Sequence, residues 1–571
     1  MSKVSDNSKN QISKFKDIIT ILDQSKKNRI IFLSFLILIG LSIRLFYFPF
    51  DVPLLNDAQG YFWYAIEINI LNNLPYTDII QYPNGQTGHT ITNNGWPIFL
   101  SLAFRLIDSD NFLDYHNLQR MLSVIFSISA IIPVYLLCNR FFKKSYSLLA
   151  SSLFILEPRL IQNSILGTSE SFYIFLFASS LFLFLSNNLR VIYSGFAVLA
   201  LFSIVRYEGM LMIIPFSVIF FVRYRKQKKI LIRYVICILI LIMILIPVAY
   251  LKNETMGHDG FVSHVSAGPQ YYQTTINDNT STINSLFYSG SINLIKYLGW
   301  VQIPIFIIFI PIGIFYLFTK MDYKKSMIVL TILTMLVPAF YAYSREFFDT
   351  KYLYVLYPIF CIIAGYTINF FFEKNVKRNL IFGLILIGIV FGSVTFLEWK
   401  TIDQEHYRET FLILQEIYEK PIKINGDFGT HGGEFTFFHW VLVENAKEFP
   451  ILKKELPISN IEYAKQISLL RLDSMKDIDN FDESRNYYTK TKNLKDYLEI
   501  LEEQKVSHLL LDKNNNVRLT SDELRIILQD IFKNESDYPY LVKEYDSKDK
   551  GFNYHIKLFK IDYELYKEFQ K

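Results

Sequence analysis

The sequence predicts a mainly α-helical fold, a polytopic transmembrane bundle of about eleven helices with a soluble α/β domain at its C-terminal end. Of the 571 residues, 51% are hydrophobic and 16% are aromatic, and the mean hydropathy of +0.23 is high for a soluble enzyme of this length. Apolar runs of roughly 20 residues, the length that crosses a bilayer core, recur between residues 30 and 398. From about residue 399 the sequence becomes mixed and charged, as expected for a soluble domain.

The distribution of basic residues predicts how the chain crosses a plasma membrane. Residues 1–29 are polar and lysine-rich and are expected to form a cytoplasmic tail, and the apolar run that follows is too long for a signal-peptide core. Short basic connections such as "NRFFKKS" and "RYRKQKK" are typical of cytoplasmic loops. The long connections 49–117 and 252–297 of the transmembrane domain (30–398) are then external. An odd number of crossings also places the soluble domain, 399–571, outside.

Three segments predict regular structure inside the soluble domain. The stretch "LKDYLEILEEQ" has helical periodicity, and "KVSHLLLD" (505–512) follows it as a buried strand. The alternating stretch "YHIKLFKID" (554–562) predicts another strand.

Composition and motifs exclude several classes of function. The net charge of +5 is small for 58 basic and 53 acidic residues, so nucleic-acid binding is not indicated. Cys138, Cys237 and Cys361 all lie in apolar runs, which supports neither a disulfide framework nor a cysteine zinc site. The sequence has no Walker A, GxGxxG or HExxH motif. We therefore predict no cofactor, and leave a divalent metal open.

Asp57 is the candidate catalytic residue. It lies in "LLNDAQGYFWYAIEI", a few residues after the first apolar run, and it precedes an aromatic stretch suited to the membrane interface. A carboxylate held there could take a proton from an acceptor hydroxyl. The alternative is an acid in a solvated outer loop. Tyr61, within the aromatic stretch, is a candidate substrate-binding residue.

Two more acids lie in the next predicted outer connection, "LEPRLIQNSILGTSES". Glu157 ends one crossing, and Glu170 lies in the first turn of the following helix. Either acid could orient the sugar or the acceptor. Glu170 also has a purely structural explanation, because a helix N-terminus stabilises a carboxylate by about 0.3–1 kcal/mol.

Basic residues near two other predicted outer turns could bind an anion. Arg206 in "RYEG" offers a planar donor fork to phosphate, or it snorkels to the interface with Glu208 as its partner. Arg345 and Lys351 in "YSREFFDTKYLYVLYP" could neutralise a lipid phosphate, or they could simply anchor the chain at the interface.

Histidines occur in both long loops. His89, in "NGQTGHTITNNGWP", is a candidate substrate-binding residue. The stretch "MGHDGFVSH" carries His258, Asp259 and His264, whose spacing matches no familiar zinc site. A flexible gating loop is the favoured interpretation of this stretch.

Taken in order, four segments resemble the GT-C class of membrane glycosyltransferases, especially the branch of the protein O-mannosyltransferases and the lipid A aminoarabinose transferase. The segments are "NDAQGYFWYA", "GWPIFLSLAFRLI", "NRFFKKSYSLLASSLFILEPRLIQNSILGTSESFYIFLF" and "KYLYVLYPIFCIIAGY". The resemblance implies a polyprenyl-phosphate sugar donor, an external active site and inversion at the anomeric carbon. It also implies that Asp57 is the base, that Glu170 is the acid opening the fourth helix, and that Lys351 or Arg345 is the basic position before the tyrosine-proline helix.

The chain departs from this family pattern at two positions. Asn56 stands beside Asp57 where the protein mannosyltransferases carry a second acid, and Glu170 stands where aspartate is common. The WWDYG-type motif and the DxD-like pair of the oligosaccharyltransferase branch do not occur, which argues against en bloc oligosaccharide transfer and a divalent metal requirement.

The predicted function is therefore transfer of a sugar from a polyprenyl-phosphate donor to a protein, glycan or lipid acceptor of the cell envelope. The alternatives are a transporter or flippase for lipid-linked sugars and a membrane scaffold without catalytic activity. A transporter predicts charges inside broken helices.

Overall fold

The chain folds into two compact units. A computed structural model describes residues 18–71, 74, 93–107, 109, 112–278, 280–345, 347–374, 378–419, 491–503, 507–513 and 521–569. The first unit comprises Met1–Phe48, Ile91–Ala103 and Asn117–Trp399, and the second unit comprises Pro49–Thr90, Phe104–His116 and Lys400–Lys571. The segment predicted as the first external loop therefore contributes to both units, and the predicted domain limits stay a prediction.

Helices make up most of the chain before residue 420. In chain order they are α1 (Ile18–Gln24), α2 (Lys26–Phe46), α3 (Asn56–Leu71), α4 (Gly95–Phe104), α5 (Phe112–Ser129), α6 (Ile131–Cys138), α7 (Lys144–Ile155), α8 (Pro158–Leu166), α9 (Glu170–Phe184), α10 (Leu189–Val205), α11 (Ile213–Tyr224), α12 (Ile230–Met256), α13 (Val262–Asp278), α14 (Thr280–Gln302), α15 (Ile310–Phe318), α16 (Tyr323–Ser344), α17 (Tyr357–Lys374) and α18 (Arg378–Glu419). Short 3₁₀ helices, Tyr207–Met212 and Thr350–Leu356, lead directly into α11 and α17.

Many of these helices have the length and apolar composition of membrane-spanning helices. Within the part of the chain that the structure describes, seven segments are long and apolar enough to cross a bilayer: Lys26–Phe46, Leu113–Cys138, Tyr207–Tyr224, Ile230–Glu254, Tyr323–Ser344, Thr350–Glu373 and Arg378–Ile417. Helices α4, α9 and α10 are apolar but shorter. The chain is a multi-pass membrane protein, and the predicted helical bundle with a small C-terminal sheet is confirmed. The count of eleven crossings stays a prediction.

Helices form most of the second long connection. Helices α13 and α14 occupy most of residues 252–297, for which the sequence predicted an external position and no particular helices. Leu294, Tyr297 and Leu298 follow the i, i+3, i+4 spacing of one helix face and pack against the buried core of the first unit. Serines and asparagines in the earlier turns of α14 weaken this pattern in the sequence.

A buried arginine ties four helices of the first unit together. Arg44 in α2 is fully buried, and its Nη1 donates to the carbonyl oxygens of Gly40 at 3.0 Å and Ile155 at 3.1 Å. Its Nε donates to Ser164 Oγ at 3.1 Å and its Nη2 to Ser127 Oγ at 2.9 Å. These bonds satisfy a cation whose burial would otherwise be costly. They fix α5, α7 and α8 against α2.

The start of α4 touches the end of α10. A Cβ atom on Gly95 would lie 2.6 Å from both the backbone nitrogen and the Cα of Val205. Backbone atoms cannot move aside as a flexible side chain does. Glycine is therefore required at this contact, one residue before Arg206.

The second unit contains a small antiparallel sheet. Its elements are α19 (Leu494–Glu503), β1 (His508–Asp512), α20 (Asp522–Lys533), β2 (Leu541–Asp546), β3 (Ile556–Ile561) and α21 (Tyr563–Phe569). The strand order is β1-β3-β2, with Leu510 and Tyr545 both opposite Leu558. The predicted helix and both predicted strands are confirmed. The sequence did not predict β2, because only Leu541 and Tyr545 of this edge strand are buried.

Residues just after α2 join the core of this second unit. Val52 shares an apolar cluster with Ile413 and Leu414 of α18 and with Leu558 of β3. Next to it, Asp51 accepts two hydrogen bonds from Arg408, at 2.7 and 2.9 Å. Part of the predicted first loop is therefore packed with the sheet.

We predict that Arg44→Lys destabilises the folded protein. Lysine presents one ammonium group in place of a planar fork and cannot reach the same set of acceptors. Buried oxygens left unbonded should lower the free energy of unfolding by about 1–3 kcal/mol. Thermal unfolding in detergent micelles measures the change, with Arg225→Lys, an exposed site, as the control. Equal stability of the two variants would contradict the role of Arg44.

We also predict that Gly95→Ala destabilises the first unit by about 1–3 kcal/mol, because the added methyl group overlaps backbone atoms of α10. Gly388→Ala is the matched control. A Cβ atom at position 388 meets nothing within 4 Å, and alanine is the better helix former. The two variants should shift the unfolding temperature in opposite directions, and a neutral Gly95→Ala would show that the close approach is absent.

Candidate active site

The connection between α7 and α9 carries two of the predicted site residues. Glu157 is the N-cap of α8, where Pro158 occupies the first helical position without losing a needed hydrogen-bond donor. Gly167 ends α8 with φ of 82°, a left-handed conformation suited to glycine. Glu170 then begins α9. A short helix therefore separates the two acids.

The turn at Gly167 is held from two sides. Its carbonyl oxygen accepts hydrogen bonds from Trp96 Nε1 at 3.1 Å and from Gln119 Nε2 at 2.8 Å. Beyond it, Asn163 Nδ2 donates to Thr168 Oγ1 at 3.2 Å. All of these side chains are largely or fully shielded from solvent. The first turn of α9 is thus fixed by the surrounding helices.

Arg206 joins Glu170 to Glu208. Helix α10 ends at Arg206 in an extended conformation, and the chain then forms the 3₁₀ helix that carries Glu208. Arg206 Nη1 lies 2.9 Å from Glu170 Oε1, and its Nη2 lies 3.0 Å from Glu208 Oε1. Glu170 is only 3% exposed and Arg206 only 8%. The ion pair with Glu208 is the one that the snorkelling alternative named, whereas the bond to Glu170 was not expected from the sequence.

The cluster formed by Glu170, Arg206 and Glu208, which we call the Arg206 cluster, carries a net negative charge when both acids are ionised. The remaining oxygens, Glu170 Oε2 and Glu208 Oε2, are buried and have no hydrogen-bond partner among the described residues. Buried acceptors of this kind are normally satisfied. The cluster therefore has spare acceptor capacity.

Aromatic rings line the Arg206 cluster. The guanidinium carbon of Arg206 lies 5.5 Å from the ring centroid of Tyr173, within cation–π range. Tyr173 stacks in turn on Phe202, with centroids 4.1 Å apart. On another side, the Tyr207 ring packs against His264 at 5.1 Å. Sequence reasoning missed Tyr173, which is indistinguishable there from other aromatic residues of an apolar helix.

Glu157 contacts the first residue of α17. It is fully buried, and its Oε1 lies 3.3 Å from the hydroxyl of Tyr357. That hydroxyl also lies 2.9 Å from the carbonyl oxygen of Val301. Because a hydroxyl carries one proton, it donates to one of these acceptors at a time. Tyr357 is a partner that the sequence did not suggest, since 200 residues separate it from Glu157.

The structure pairs the two other predicted cations within their own segment. Arg345 is exposed, and its Nη1 donates to the hydroxyl of Tyr341 at 3.1 Å. Lys351 is partly exposed, and its Nζ lies 3.5 Å from Asp349. Binding of a phosphate by these residues stays a prediction.

The histidine-rich stretch forms the turn between α12 and α13. Asp259 accepts hydrogen bonds from the backbone nitrogens of Val262 and Ser263, at 2.8 and 2.9 Å, and so begins α13. His264 packs between the rings of His258 and Tyr207. Burial, with the nearby His258, lowers the pKa of His264 to about 4, so its imidazole is neutral at physiological pH.

A metal site is not formed by these histidines in the part of the chain that the structure describes. No group of three or more histidine, cysteine, aspartate or glutamate side chains there is arranged to hold a metal ion. Asp259 is instead engaged in capping a helix. The gating role that the sequence suggests for this stretch stays a prediction.

Asp57 lies in the second unit. It is exposed and lies in the first turn of α3. Tyr61 follows one turn later and is buried. His89 lies outside the described residues. The catalytic role of Asp57 stays a prediction.

The sequence did not single out the buried amide between Asp57 and Tyr61. Gln59 is 2% exposed, and neither its Oε1 nor its Nε2 has a hydrogen-bond partner among the described residues. Nearby in the same unit, His116 accepts a hydrogen bond from the Leu54 nitrogen at 3.2 Å and packs edge-on against Phe62. Polar side chains therefore enter the core around α3.

Comparison with known proteins gives no match at the level of sequence. No family model matches the chain, and no curated protein matches it.

Solved structures share its fold. The oligosaccharyltransferase of Archaeoglobus fulgidus, tethered with an acceptor peptide, superposes with a TM-score of 0.54 and 13% identity, covering 91% of this chain and 73% of that one. The same enzyme, in complex with an inhibitory peptide and a dolichol-phosphate, gives a TM-score of 0.51 at 13% identity, with 90% and 72% covered. ArnT from Cupriavidus metallidurans, bound to undecaprenyl phosphate, gives 0.47 at 10% identity, with 92% and 97% covered. The chain thus has the fold of the oligosaccharyltransferase, and the predicted resemblance to the GT-C class is confirmed at the level of the fold.

Proposed function

We propose that this protein is an integral membrane glycosyltransferase that transfers a sugar from a polyprenyl-phosphate donor to a protein, glycan or lipid acceptor of the cell envelope. The observation that carries the proposal is the fold, which matches an oligosaccharyltransferase over 91% of this chain. Structures of that enzyme hold an acceptor peptide and a dolichol-phosphate. Those ligands belong to that protein, and they support a lipid-linked donor and a bilayer-embedded site for this one.

Asp57 is the proposed base. It accepts the proton of the acceptor hydroxyl while the acceptor oxygen forms a bond to the anomeric carbon of the sugar. The bond from that carbon to the phosphate oxygen breaks, and the polyprenyl phosphate leaves with the electron pair. Attack opposite the leaving group inverts the anomeric configuration. Its exposure at the start of α3 supports this role, because a general base must be reachable by the acceptor.

Charge stabilisation supplies the other part of the proposed mechanism. Arg345 and Lys351 lie near the start of the 3₁₀ helix before α17, at the basic position that the family resemblance implies. Their positive charge would stabilise the phosphate as it leaves. Tyr61 and Glu157 remain candidate substrate-positioning residues, and so does His89, which lies outside the described residues.

The proposed orientation places this chemistry on the outer face of the plasma membrane. The basic connections at Asn139–Ser145 and Arg223–Lys229 would then be cytoplasmic, together with the N-terminus. The domain of residues 399–571 would be extracytoplasmic and could contact the acceptor.

We predict that Asp57→Asn lowers the rate of sugar transfer by about a hundredfold or more, because asparagine cannot accept the proton. The measurement uses purified protein in lipid vesicles, radiolabelled polyprenyl-phosphate monosaccharides and cell-envelope acceptors. Asp549→Asn, an exposed aspartate of the same unit, is the matched control and should transfer at the wild-type rate.

Three outcomes would contradict this assignment. Equal transfer by wild type and Asp57→Asn would remove the catalytic role of Asp57. Movement of the labelled donor across the vesicle bilayer, without transfer to any acceptor, would establish the transporter alternative. A protein that neither transfers nor transports would fit the scaffold alternative.

We further predict that transfer by the wild type continues after dialysis against EDTA. Phosphate is a competent leaving group, and positioning with charge stabilisation can supply the catalysis. Loss of activity in EDTA that Mn²⁺ or Mg²⁺ restores would show that a divalent metal is required.

A further inference from the structure

We infer that the Arg206 cluster binds the sugar of the lipid-linked donor, with Glu170 Oε2 and Glu208 Oε2 accepting hydrogen bonds from its hydroxyl or amino groups. The inference rests on the proposed function. It assigns binding of the donor's sugar, as distinct from its phosphate, to these residues. It departs from the sequence-based expectation that Arg206 binds phosphate.

The contacts of Arg206 argue against phosphate. The two terminal nitrogens of its guanidinium are each bonded to a carboxylate, at 2.9 and 3.0 Å. A phosphate would have to displace one of them and leave that acid buried without its counter-charge. A phosphate would also come close to two carboxylates whose negative charge is neutralised by only one guanidinium. Electrostatic repulsion between like charges would therefore oppose its binding.

The free oxygens argue for a ligand that donates hydrogen bonds. Glu170 is only 3% exposed. Its Oε2 has no hydrogen-bond partner within the described ranges. Glu208, bonded to the other terminal nitrogen of the same guanidinium, presents a second such oxygen. An ionised carboxylate accepts hydrogen bonds only. The hydroxyl groups of a sugar are hydrogen-bond donors of the kind that such acceptors bind.

The backbone holds both acids in place before any ligand arrives. The carbonyl oxygen of Arg206 accepts a hydrogen bond from the Gly209 nitrogen at 2.9 Å, which closes the turn around Glu208. A Cβ atom on Gly209 would lie 2.9 Å from the Cα of Ser203, so the turn packs tightly on α10. The hydrogen bonds to the Gly167 carbonyl oxygen fix the backbone segment that leads into Glu170. Rigid support of this kind favours a binding site.

The test compares binding of two ligands by the full-length protein in lipid nanodiscs. One is undecaprenyl phosphate, and the other is the polyprenyl-phosphate monosaccharide that the wild type binds most tightly within a hexose and pentose panel. We expect Glu170→Gln and Glu208→Gln to weaken binding of the sugar-bearing donor by about tenfold to a hundredfold, since each loses charged acceptor capacity. Binding of undecaprenyl phosphate should stay at the wild-type level.

Controls keep the result interpretable. Glu373→Gln makes the same chemical change at an exposed position of the first unit and should bind both ligands normally. If Glu170→Gln fails to fold, Glu208→Gln carries the test, because its side chain is 13% exposed and tolerates change more readily.

Several outcomes would overturn the assignment. Equal weakening for both ligands would show that the cluster serves the phosphate or the fold. Unchanged binding of both would show that the two oxygens touch no part of the donor. Wild-type binding that EDTA abolishes would assign them to a metal ion. Because binding is measured without an acceptor, a wild type that binds the donor but transfers nothing would refute the proposed reaction and leave the sugar assignment standing.

Discussion

The buried fork of Arg206 is the interaction on which the candidate site depends. Its guanidinium joins the first turn of α9 to the turn after α10, because it neutralises the charges of two carboxylates. This ion-pair cluster is largely buried. Removing one partner of such a buried pair typically costs about 3–5 kcal/mol, because the remaining charge is left without compensation. The positions of Glu170 and Glu208 therefore depend on this side chain together with the turns at Gly167 and Gly209.

Arg44 also supports the connection between α7 and α9. Its guanidinium holds the carbonyl of Ile155, two residues before Glu157, and the hydroxyl of Ser164 near the end of α8. Each arginine thus fixes one part of the connection that carries both predicted acids. Buried cations are expensive, and proteins keep them where several hydrogen bonds converge. In this chain, these bonds converge around the α7–α9 connection.

Sequence patterns predicted the parts of this molecule that depend on local chemistry. Hydropathy indicated helices such as α2 and α12, and alternation indicated β1 and β3. The pairing of Arg206 with Glu208 spans two residues and was within reach of the sequence. The bond to Glu170 spans 36 residues and that of Glu157 to Tyr357 spans 200, so only the packing of helices reveals them. Gln59 was missed because a single amide in an aromatic stretch carries no pattern.

An experimental structure of the protein in lipid, with a phosphonate analogue of the sugar donor that cannot be transferred, tests the assignment of the Arg206 cluster most directly. The account predicts sugar hydroxyl or amino groups within hydrogen-bond distance of Glu170 Oε2 and Glu208 Oε2, with Arg206 still bonded to both acids. A phosphonate group bound by Arg206, with either carboxylate released, would contradict it.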